Sequence, residues 1–280
     1  MKKTLIAFAA LALIATGCKK EKGKENNEVV PGEWLLTGMN EINLSSNDST
    51  RTAIEYNDDN TVKELRDTVT NTDGTPYIYR YGFTYSNGNV VKKTWHETGL
   101  AAPETDMEAF YEGNRLVRVD HWDYRSDGTP GSELNNYDSL VYLQGKITEL
   151  YNKSVKGHGT NKYKLTWEGE NVKSVERFSE KPDGTFEFRA ATNYTYDNKP
   201  SLYSIFKVNI FWFHETTMFE LLSANNMVKQ EVTFQGAVTE RFTNEYKLNE
   251  EGRIVELHSS SQYLNSEPTL YKTLVQYTEK

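Results

Sequence analysis

The stretch YGFTYSNGNVVKKTW, residues 81–95, has the pattern of a strand, a two-residue turn and a returning strand. Tyr81, Phe83 and Tyr85 alternate with smaller or polar residues, so their rings lie on one face of a strand. Asn87-Gly88 then tolerates the positive φ angles that both central residues of a tight type I′ turn adopt. These residues therefore predict an antiparallel β-hairpin.

The same unit recurs along most of the chain, at intervals of a few tens of residues that are typical of stacked supersecondary modules. Each copy has aromatic residues, a polar stretch with Gly or Asn, and then two apolar residues three positions apart. A spacing of three does not suit one face of a flat strand, so we expect the first apolar residue to close the turn or to lie at a bulge. The apolar pairs are Val62/Leu65, Leu116/Val119, Ile147/Leu150, Val172/Val175 and Ile254/Leu257, with a looser copy at Val238/Phe242.

A second, slower repeat predicts the turns at the opposite edge of the sheet. Residues 73–76 and 127–130 are both Asp-Gly-Thr-Pro, and residues 182–185 read Pro-Asp-Gly-Thr. Asp-Gly is a strong turn signal between strands. We expect the aspartates in these turns to accept hydrogen bonds from nearby backbone rather than to bind a ligand.

The strand pattern breaks between Pro200 and Asn226. Thr217 and Glu220 stand at capping-box spacing, which predicts one short helix at residues 217–224. The apolar side chains of this insert are expected to pack over one end of the sheet, because Met and Phe clusters are usually core.

The N-terminus has the order of a secretory signal peptide: Lys2 and Lys3, an apolar run from Leu5 to Ala15, and then Gly17-Cys18. The position of Cys18 resembles the lipobox of bacterial lipoproteins, although Ala15 stands where that motif usually has Leu. This resemblance implies cleavage before Cys18 and lipidation of its thiol. We therefore predict a signal peptide at residues 1–17, a flexible polar tether at 18–31 and a single β domain at 32–280.

The charge of the chain is acidic. Removal of residues 1–17 takes away Lys2 and Lys3, which leaves 30 basic and 40 acidic residues and a formal charge of −10. A net acidic surface argues against nucleic acid as a partner and against electrostatic adhesion to anionic lipid. The expected membrane partner is therefore reached only through the lipid anchor at Cys18.

Three short runs carry a resemblance to a known group: YTYDNKP at 194–200, SANN at 223–226 and GRIVEL at 252–257. They are similar to lipoproteins of unknown function from gut anaerobes that have a porin-like fold, and the repeat is also similar to the YD repeats of RHS-type proteins. The resemblance covers most of residues 40–277 and departs from the group at Ser201-Leu202. It implies an all-β fold, an antiparallel meander of repeated hairpins curled into an open or closed barrel, and it brings no activity or cofactor.

Such a barrel is not expected to lie within the lipid bilayer. A spanning strand needs an unbroken set of apolar residues on its lipid side. Charged residues instead interrupt the strands, as in VKKTW at 91–95 and VKSVERF at 172–178. A lipid-anchored domain in the periplasm or at the surface of the outer membrane fits this pattern better.

No motif for catalysis, phosphate binding or dinucleotide binding occurs, and no cofactor is predicted. Asp58-Asp59-Asn60 resembles half a calcium loop but lacks the other ligands, so we interpret it as a turn. No metal site is predicted, because no two histidines share a ligand spacing. The five histidines are His96, His121, His158, His214 and His258.

The aromatic residues carry the functional hypothesis. Trp95, Trp122 and Trp167 fall in or beside predicted strands, where rings could stack on sugars, although aromatic rings also fill cores. The first hypothesis is an envelope binding module for a glycan or peptide, with these three residues as candidate ligand contacts. The second is a structural or adhesion protein that docks another protein, and the third is a carbohydrate-active enzyme.

Overall fold

The computed structural model describes residues 34–70, 74–124, 131–157, 159–205 and 217–279. Within these ranges sixteen strands form one closed antiparallel barrel. This confirms the predicted all-β meander and shows that the barrel is closed rather than open. The predicted signal peptide, tether and Cys18 lie outside the described residues. The strands are β1 (Trp34–Asn43), β2 (Ser49–Tyr56), β3 (Val62–Thr70), β4 (Pro76–Ser86), β5 (Asn89–Glu97), β6 (Glu104–Glu112), β7 (Arg115–Tyr124), β8 (Ser132–Leu143), β9 (Lys146–Ser154), β10 (Thr160–Glu168), β11 (Asn171–Glu180), β12 (Phe186–Pro200), β13 (Asn225–Phe234), β14 (Ala237–Leu248), β15 (Ile254–Tyr263) and β16 (Thr269–Glu279).

Every strand pairs with its neighbours in sequence, and β1 pairs with β16 to close the ring. The closing register runs from Trp34 opposite Glu279 to Asn43 opposite Tyr271. Closure leaves no strand edge unpaired, which removes the usual template for edge-to-edge aggregation. No helix in the described residues is long and apolar enough to cross a membrane.

The opening stretch forms the predicted hairpin. Asn87 has φ 50° and Gly88 has φ 78°, as a type I′ turn requires. Ser86 pairs with Asn89 across this turn. The Asp-Gly turn at Asp183 also behaves as predicted, because its carboxylate accepts hydrogen bonds from the backbone N–H and the hydroxyl of Thr185 at 2.9 and 2.6 Å.

Bulges explain the spacing of the apolar pairs, as the sequence predicted. In hairpin β10–β11, Trp167 pairs with Val172 and Thr166 pairs with Ser174, so Lys173 is the extra residue. Because of this extra residue, Val172 and Val175 lie on the same face of β11 although they are three positions apart, and both are buried. The same shift occurs in the five hairpins β2–β3, β4–β5, β6–β7, β8–β9 and β14–β15. These six hairpins all turn at one end of the barrel, which we call the bulge end.

An aromatic side chain caps the backbone at six bulges, of which four belong to the hairpins β2–β3, β4–β5, β8–β9 and β14–β15 and two lie on β1 and β13. The donor is a Tyr hydroxyl or a Trp indole N–H, and the acceptor is the carbonyl that precedes the extra residue on the preceding strand. This bond gives the six capping aromatic residues a structural role. The caps are Tyr56 to Leu36 (2.7 Å), Tyr85 to Val62 (2.7 Å), Tyr111 to Val90 (2.9 Å), Trp167 to Ile147 (2.8 Å), Tyr246 to Met227 (3.0 Å) and Tyr277 to Ile254 (2.8 Å).

The aliphatic pairs form two buried clusters near the bulge end, and the insert between β12 and β13 contacts both. Leu202 and Leu221 pack in the first cluster with Leu36 and Val62, while Phe219 packs in the second with Val172. Ser223 fastens the insert by accepting a hydrogen bond from the backbone N–H of Val172 at 3.0 Å. The described parts of the insert therefore pack inside the bulge end, as predicted.

The predicted helix at 217–224 is present only as one 3-10 turn at Phe219–Leu222, with a second such turn at Leu202–Ile205. The residue at its N-cap is Met218 rather than Thr217, and no side chain caps the turn. Ser223 is already extended, with φ −88° and ψ 147°. The turn ends there because Ser223 must reach the backbone of Val172.

Candidate ligand sites in the barrel lumen

Away from the aliphatic clusters, the inward faces of the strands are polar and aromatic. Tyr81 packs against the first cluster and pairs with Trp95, so Tyr79 and Trp95 share its inward face. On the same face Lys93 is only 4% exposed. Its ammonium lies 2.6 Å from the carboxylate of Asp106 and 5.3 Å from the centre of the Tyr81 ring. A buried, paired lysine of this kind fixes the position of the ring beside it.

Tyr79, Tyr81 and Trp95 border a cavity of about 260 Å³, which we call the aromatic cavity. Burial raises the pKa of Tyr81 to about 12, with smaller contributions from the carboxylates of Asp67 and Asp106. Its hydroxyl therefore stays protonated at neutral pH and remains a donor. The cavity is lined by Tyr79, Tyr81, Trp95, Asp106, Trp122 and Asp123.

The indole N–H of Trp122 is buried and has no hydrogen-bond acceptor among the described residues. A buried donor without an acceptor costs about 1–3 kcal/mol. The cavity beside it is large enough for several water molecules at about 30 Å³ each. The N–H itself has almost no accessible surface, so an oxygen atom of water or of a ligand reaches it only if the surrounding side chains move.

A hydrogen-bonded network continues from β7 to β9. The His121 ring lies 2.8 Å from Asp138, whose other oxygen accepts a hydrogen bond from the Asn152 amide at 2.7 Å. Asp138 is fully buried. Across the strand pair from His121, the amide oxygen of Asn136 is buried without a donor in the described part of the chain. The network places fixed polar groups on the wall of the lumen.

A larger cavity of about 670 Å³ lies beside the insert, and we call it the insert cavity. Burial raises the pKa of Glu220 on the insert and that of Glu41 on β1, and for Glu41 the charge of Asp67 adds to the effect. The cavity is lined by Glu41, Tyr163, Val175, Arg177, Ala190, Thr192, Tyr194, Thr217, Met218, Phe219, Glu220, Met227, Gln230, Val232, Phe242, Asn244, Ser259, Ser260, Ser261 and Tyr271.

The structure brings two of the three candidate tryptophans together. Trp95 and Trp122 line the aromatic cavity, whereas Trp167 lies at the bulge end and donates to Ile147. All three are partly exposed, so none is a fully buried core residue. Sequence reasoning missed Tyr79 and Asp123, although the alternation Tyr77-x-Tyr79-x-Tyr81 could have indicated Tyr79. Binding by Trp95, Trp122 or Trp167 stays a prediction.

The histidines do not meet one another in the part of the chain that is described. His96 contacts the Leu100 carbonyl at 3.1 Å and His258 contacts Glu256, while His158 and His214 lie outside the described residues. Among described residues no group of three His, Cys, Asp or Glu side chains could hold a metal ion. Asp59 accepts a hydrogen bond from the backbone N–H of Thr61 at 3.0 Å, as expected for a turn.

The outer face of β7–β12 carries a row of cationic and aromatic side chains, which we call the outer row. Arg118 stacks 4.2 Å from the ring centre of Tyr137, and Lys162 lies 5.2 Å from that of Tyr151. The row continues through Phe178, Phe186 and Phe188, with ring pairs Tyr151–Phe186 at 6.1 Å and Phe178–Phe188 at 5.7 Å. Phe186 and Phe188 are 37% and 47% exposed.

Comparison with solved structures identifies the fold. A porin-like protein from Bacteroides uniformis matches with a TM-score of 0.53 and 11% identity, over 87% of this chain and 96% of that one. A porin-like protein from Bacteroides vulgatus matches with a TM-score of 0.40 and 13% identity, over 87% and 98% of the two chains. A chain of the TcdB2–TccC3–Cdc42 complex matches with a TM-score of 0.32 and 9% identity, over 83% of this chain and 14% of that one.

The first of these likenesses confirms the porin-like fold that the sequence predicted. The lipoprotein and YD-repeat resemblances stay predictions. No family model matches the sequence, and a search of curated proteins finds no significant similarity.

Proposed function

We propose that this chain is a lipid-anchored, non-catalytic binding protein of the bacterial cell envelope, and that its aromatic cavity takes a carbohydrate. The observation that carries the proposal is one cavity lined by four aromatic side chains, those of Tyr79, Tyr81, Trp95 and Trp122. The indole N–H of Trp122 is buried and has no acceptor among the described residues. Flat rings stack on the apolar faces of sugars, and Asp123 can accept hydrogen bonds from sugar hydroxyls. The porin-like fold is in keeping with an envelope location.

The outer face supports a barrel that stands in water, for which the proposed lipid at Cys18 would be the membrane anchor. Ion pairs join neighbouring strands there, such as Lys63–Glu55 at 2.6 Å, Arg241–Glu231 at 3.1 Å and Lys272–Glu256 at 2.9 Å. On the lipid face of a membrane barrel, each Lys or Arg near the midplane costs about 2–4 kcal/mol. A barrel with charged pairs at several strand pairs of its outer face therefore suits an aqueous setting.

The proposal is tested with the full chain in mild detergent, titrated with neutral oligosaccharides while Trp fluorescence and calorimetry are recorded. We expect Trp122→Phe, which keeps a ring but removes the N–H, and Trp95→Ala each to weaken binding at least tenfold. Trp167→Phe is the matched control, because it removes an indole N–H that caps the backbone at the bulge end. It should lower stability and leave affinity unchanged. Equal affinity of wild type and Trp122→Phe would reject this site.

The outer row favours a second candidate function, the docking of another protein. Phe186 and Phe188 are exposed on one face of β12, and exposed apolar patches of this kind mark interaction sites. The double variant Phe186→Ser/Phe188→Ser separates the two functions. Loss of one identified envelope partner from the double variant, with carbohydrate binding unchanged, would favour docking, whereas equal retention of that partner would reject it.

A further inference from the structure

We infer that the insert cavity is a second ligand site, one that takes a sugar carrying a single carboxylate, with Arg177 as the anion-binding residue. No residue is shared between this cavity and the aromatic cavity, so the inference goes beyond the proposed function and does not depend on it. It stands on the placement of Arg177, the chemistry of the walls and the charge balance of the cavity.

Arg177 is presented to the lumen and is available to a ligand. It lies opposite Tyr163 on β10 and Ala190 on β12, and all three residues line the insert cavity. Its side chain is solvent-exposed although it faces inward. It makes no ion pair or hydrogen bond within the described part of the chain, whereas Arg241 on the outer face pairs with Glu231 at 3.1 Å. A guanidinium offers a planar fork of donors that matches a carboxylate.

The walls of the cavity are rich in hydroxyl and amide groups. The side chains of Gln230, Ser259, Ser261 and Tyr271 line it and form no hydrogen bond with other described residues. Asn244 uses its amide N–H on the Met227 carbonyl at 3.0 Å, which leaves its amide oxygen as an acceptor. Such groups suit a molecule with several hydroxyls, and Phe242 and Val232 supply apolar contact for the faces of its rings.

The charge balance selects a monoanion. Arg177 is the one cationic side chain among the described lining residues, and Glu41 and Glu220 line the same cavity. One carboxylate is matched by the one guanidinium, whereas the second negative charge of a dianionic phosphate would have no cation to pair with and would add to repulsion from Glu41 and Glu220. The volume of about 670 Å³ falls within the usual range of small-molecule sites. These features together describe a uronic-acid-type sugar.

The test titrates the full chain with glucuronic acid and galacturonic acid, each of which carries one carboxylate, and with glucose as the counterpart that lacks the carboxylate. We expect the two acids to bind more tightly than glucose, and their affinity to fall as sodium chloride rises. Arg177→Gln should lower the affinity for the acids at least tenfold, and Arg177→Lys should lower it less. Arg241→Gln, on the outer face, is the matched control and should bind as wild type does. Thermal unfolding of each variant shows whether the barrel is intact.

The outcomes separate this inference from the proposed function. Binding of the acids that survives Trp122→Phe but is lost in Arg177→Gln supports a site in the insert cavity. Equal binding of the acids by wild type and Arg177→Gln overturns it. Binding of neutral oligosaccharides alone also overturns it and leaves the proposed function standing. The absence of any carbohydrate binding overturns both.

Discussion

The bulge caps make a quantitative prediction about stability, which is clearest for Tyr85. Its hydroxyl donates a 2.7 Å hydrogen bond to the carbonyl of Val62, a residue with no exposed surface. Burial raises the pKa of Tyr85 well above its usual value, so the hydroxyl stays protonated and remains a donor at neutral pH. Tyr85→Phe keeps the ring in the first cluster and removes only the donor. The change therefore isolates the cap from the packing.

The expected cost follows from the state of the carbonyl. A protein hydrogen bond contributes about 0.5–1.5 kcal/mol net, and a buried acceptor left without a donor costs about 1–3 kcal/mol. Because the bulge leaves the Val62 carbonyl dependent on Tyr85, we expect Tyr85→Phe to lower the free energy of unfolding by about 1–2 kcal/mol. For a domain of this size each kcal/mol corresponds to a fall of about 2–4 °C in the melting temperature.

Urea unfolding followed by far-UV circular dichroism measures this difference. Tyr263→Phe is the control, since Tyr263 is 57% exposed, and it should be neutral within about 0.5 kcal/mol. Tyr277→Phe removes the cap on Ile254 and should cost a similar amount, and the two losses should add in a double variant. A Tyr85→Phe protein as stable as wild type would show that water replaces the hydroxyl and that the caps do not hold the bulges.

Three further predictions concern other parts of the chain. Gly88→Val should destabilise by about 1–3 kcal/mol in urea because Gly88 has φ 78°, whereas Gly88→Asn should be tolerated. Burial raises the pKa of Glu220 in the folded state, so its ionisation destabilises the fold as pH rises above the ordinary carboxyl value. Glu220→Gln should therefore raise the melting temperature at pH 7.5 and have little effect at pH 4, whereas exposed Glu250→Gln should change it at neither pH. Cys18→Ser should move the protein from the detergent-released membrane fraction to the soluble fraction, and unchanged fractionation would contradict the lipid anchor.

The local structure was predictable because it is encoded in neighbouring residues. The Asn87-Gly88 turn follows from backbone sterics. The spacing of Val172 and Val175 indicates a bulge from the sequence alone. Alignment of the repeats would also have assigned Trp167, because it occupies the position that Tyr85 holds in its own hairpin. A residue at the cap position has a structural role, and this separates Trp167 from the other two candidate tryptophans.

The sites could not be predicted, because they depend on contacts between distant strands. Tyr79 and Trp122 meet in the aromatic cavity although they lie on β4 and β7, and no local pattern sets their separation. Closure of the barrel depends on the pairing of β1 with β16, which begins with Trp34 opposite Glu279. These strands are far apart in sequence, so no turn motif between them predicts that they pair. The shortening of the predicted helix to a 3-10 turn has the same origin, since Ser223 is held by Val172 on another strand.

The number of strands explains why this barrel has both an insert and cavities. Side chains alone fill a barrel of about eight strands, whereas about sixteen leave an open channel. The repeat supplies an aliphatic pair to five of the six bulged hairpins, the sixth having Val90 and Lys93, and with sixteen strands these pairs form two clusters rather than one core. Leu221 and Phe219 on the insert join the two clusters across the bulge end. The hairpins are built alike, so the candidate ligand sites lie where the repeat changes. The insert cavity lies where the insert interrupts the repeat, and the aromatic cavity lies where polar and aromatic side chains replace aliphatic ones along the lumen.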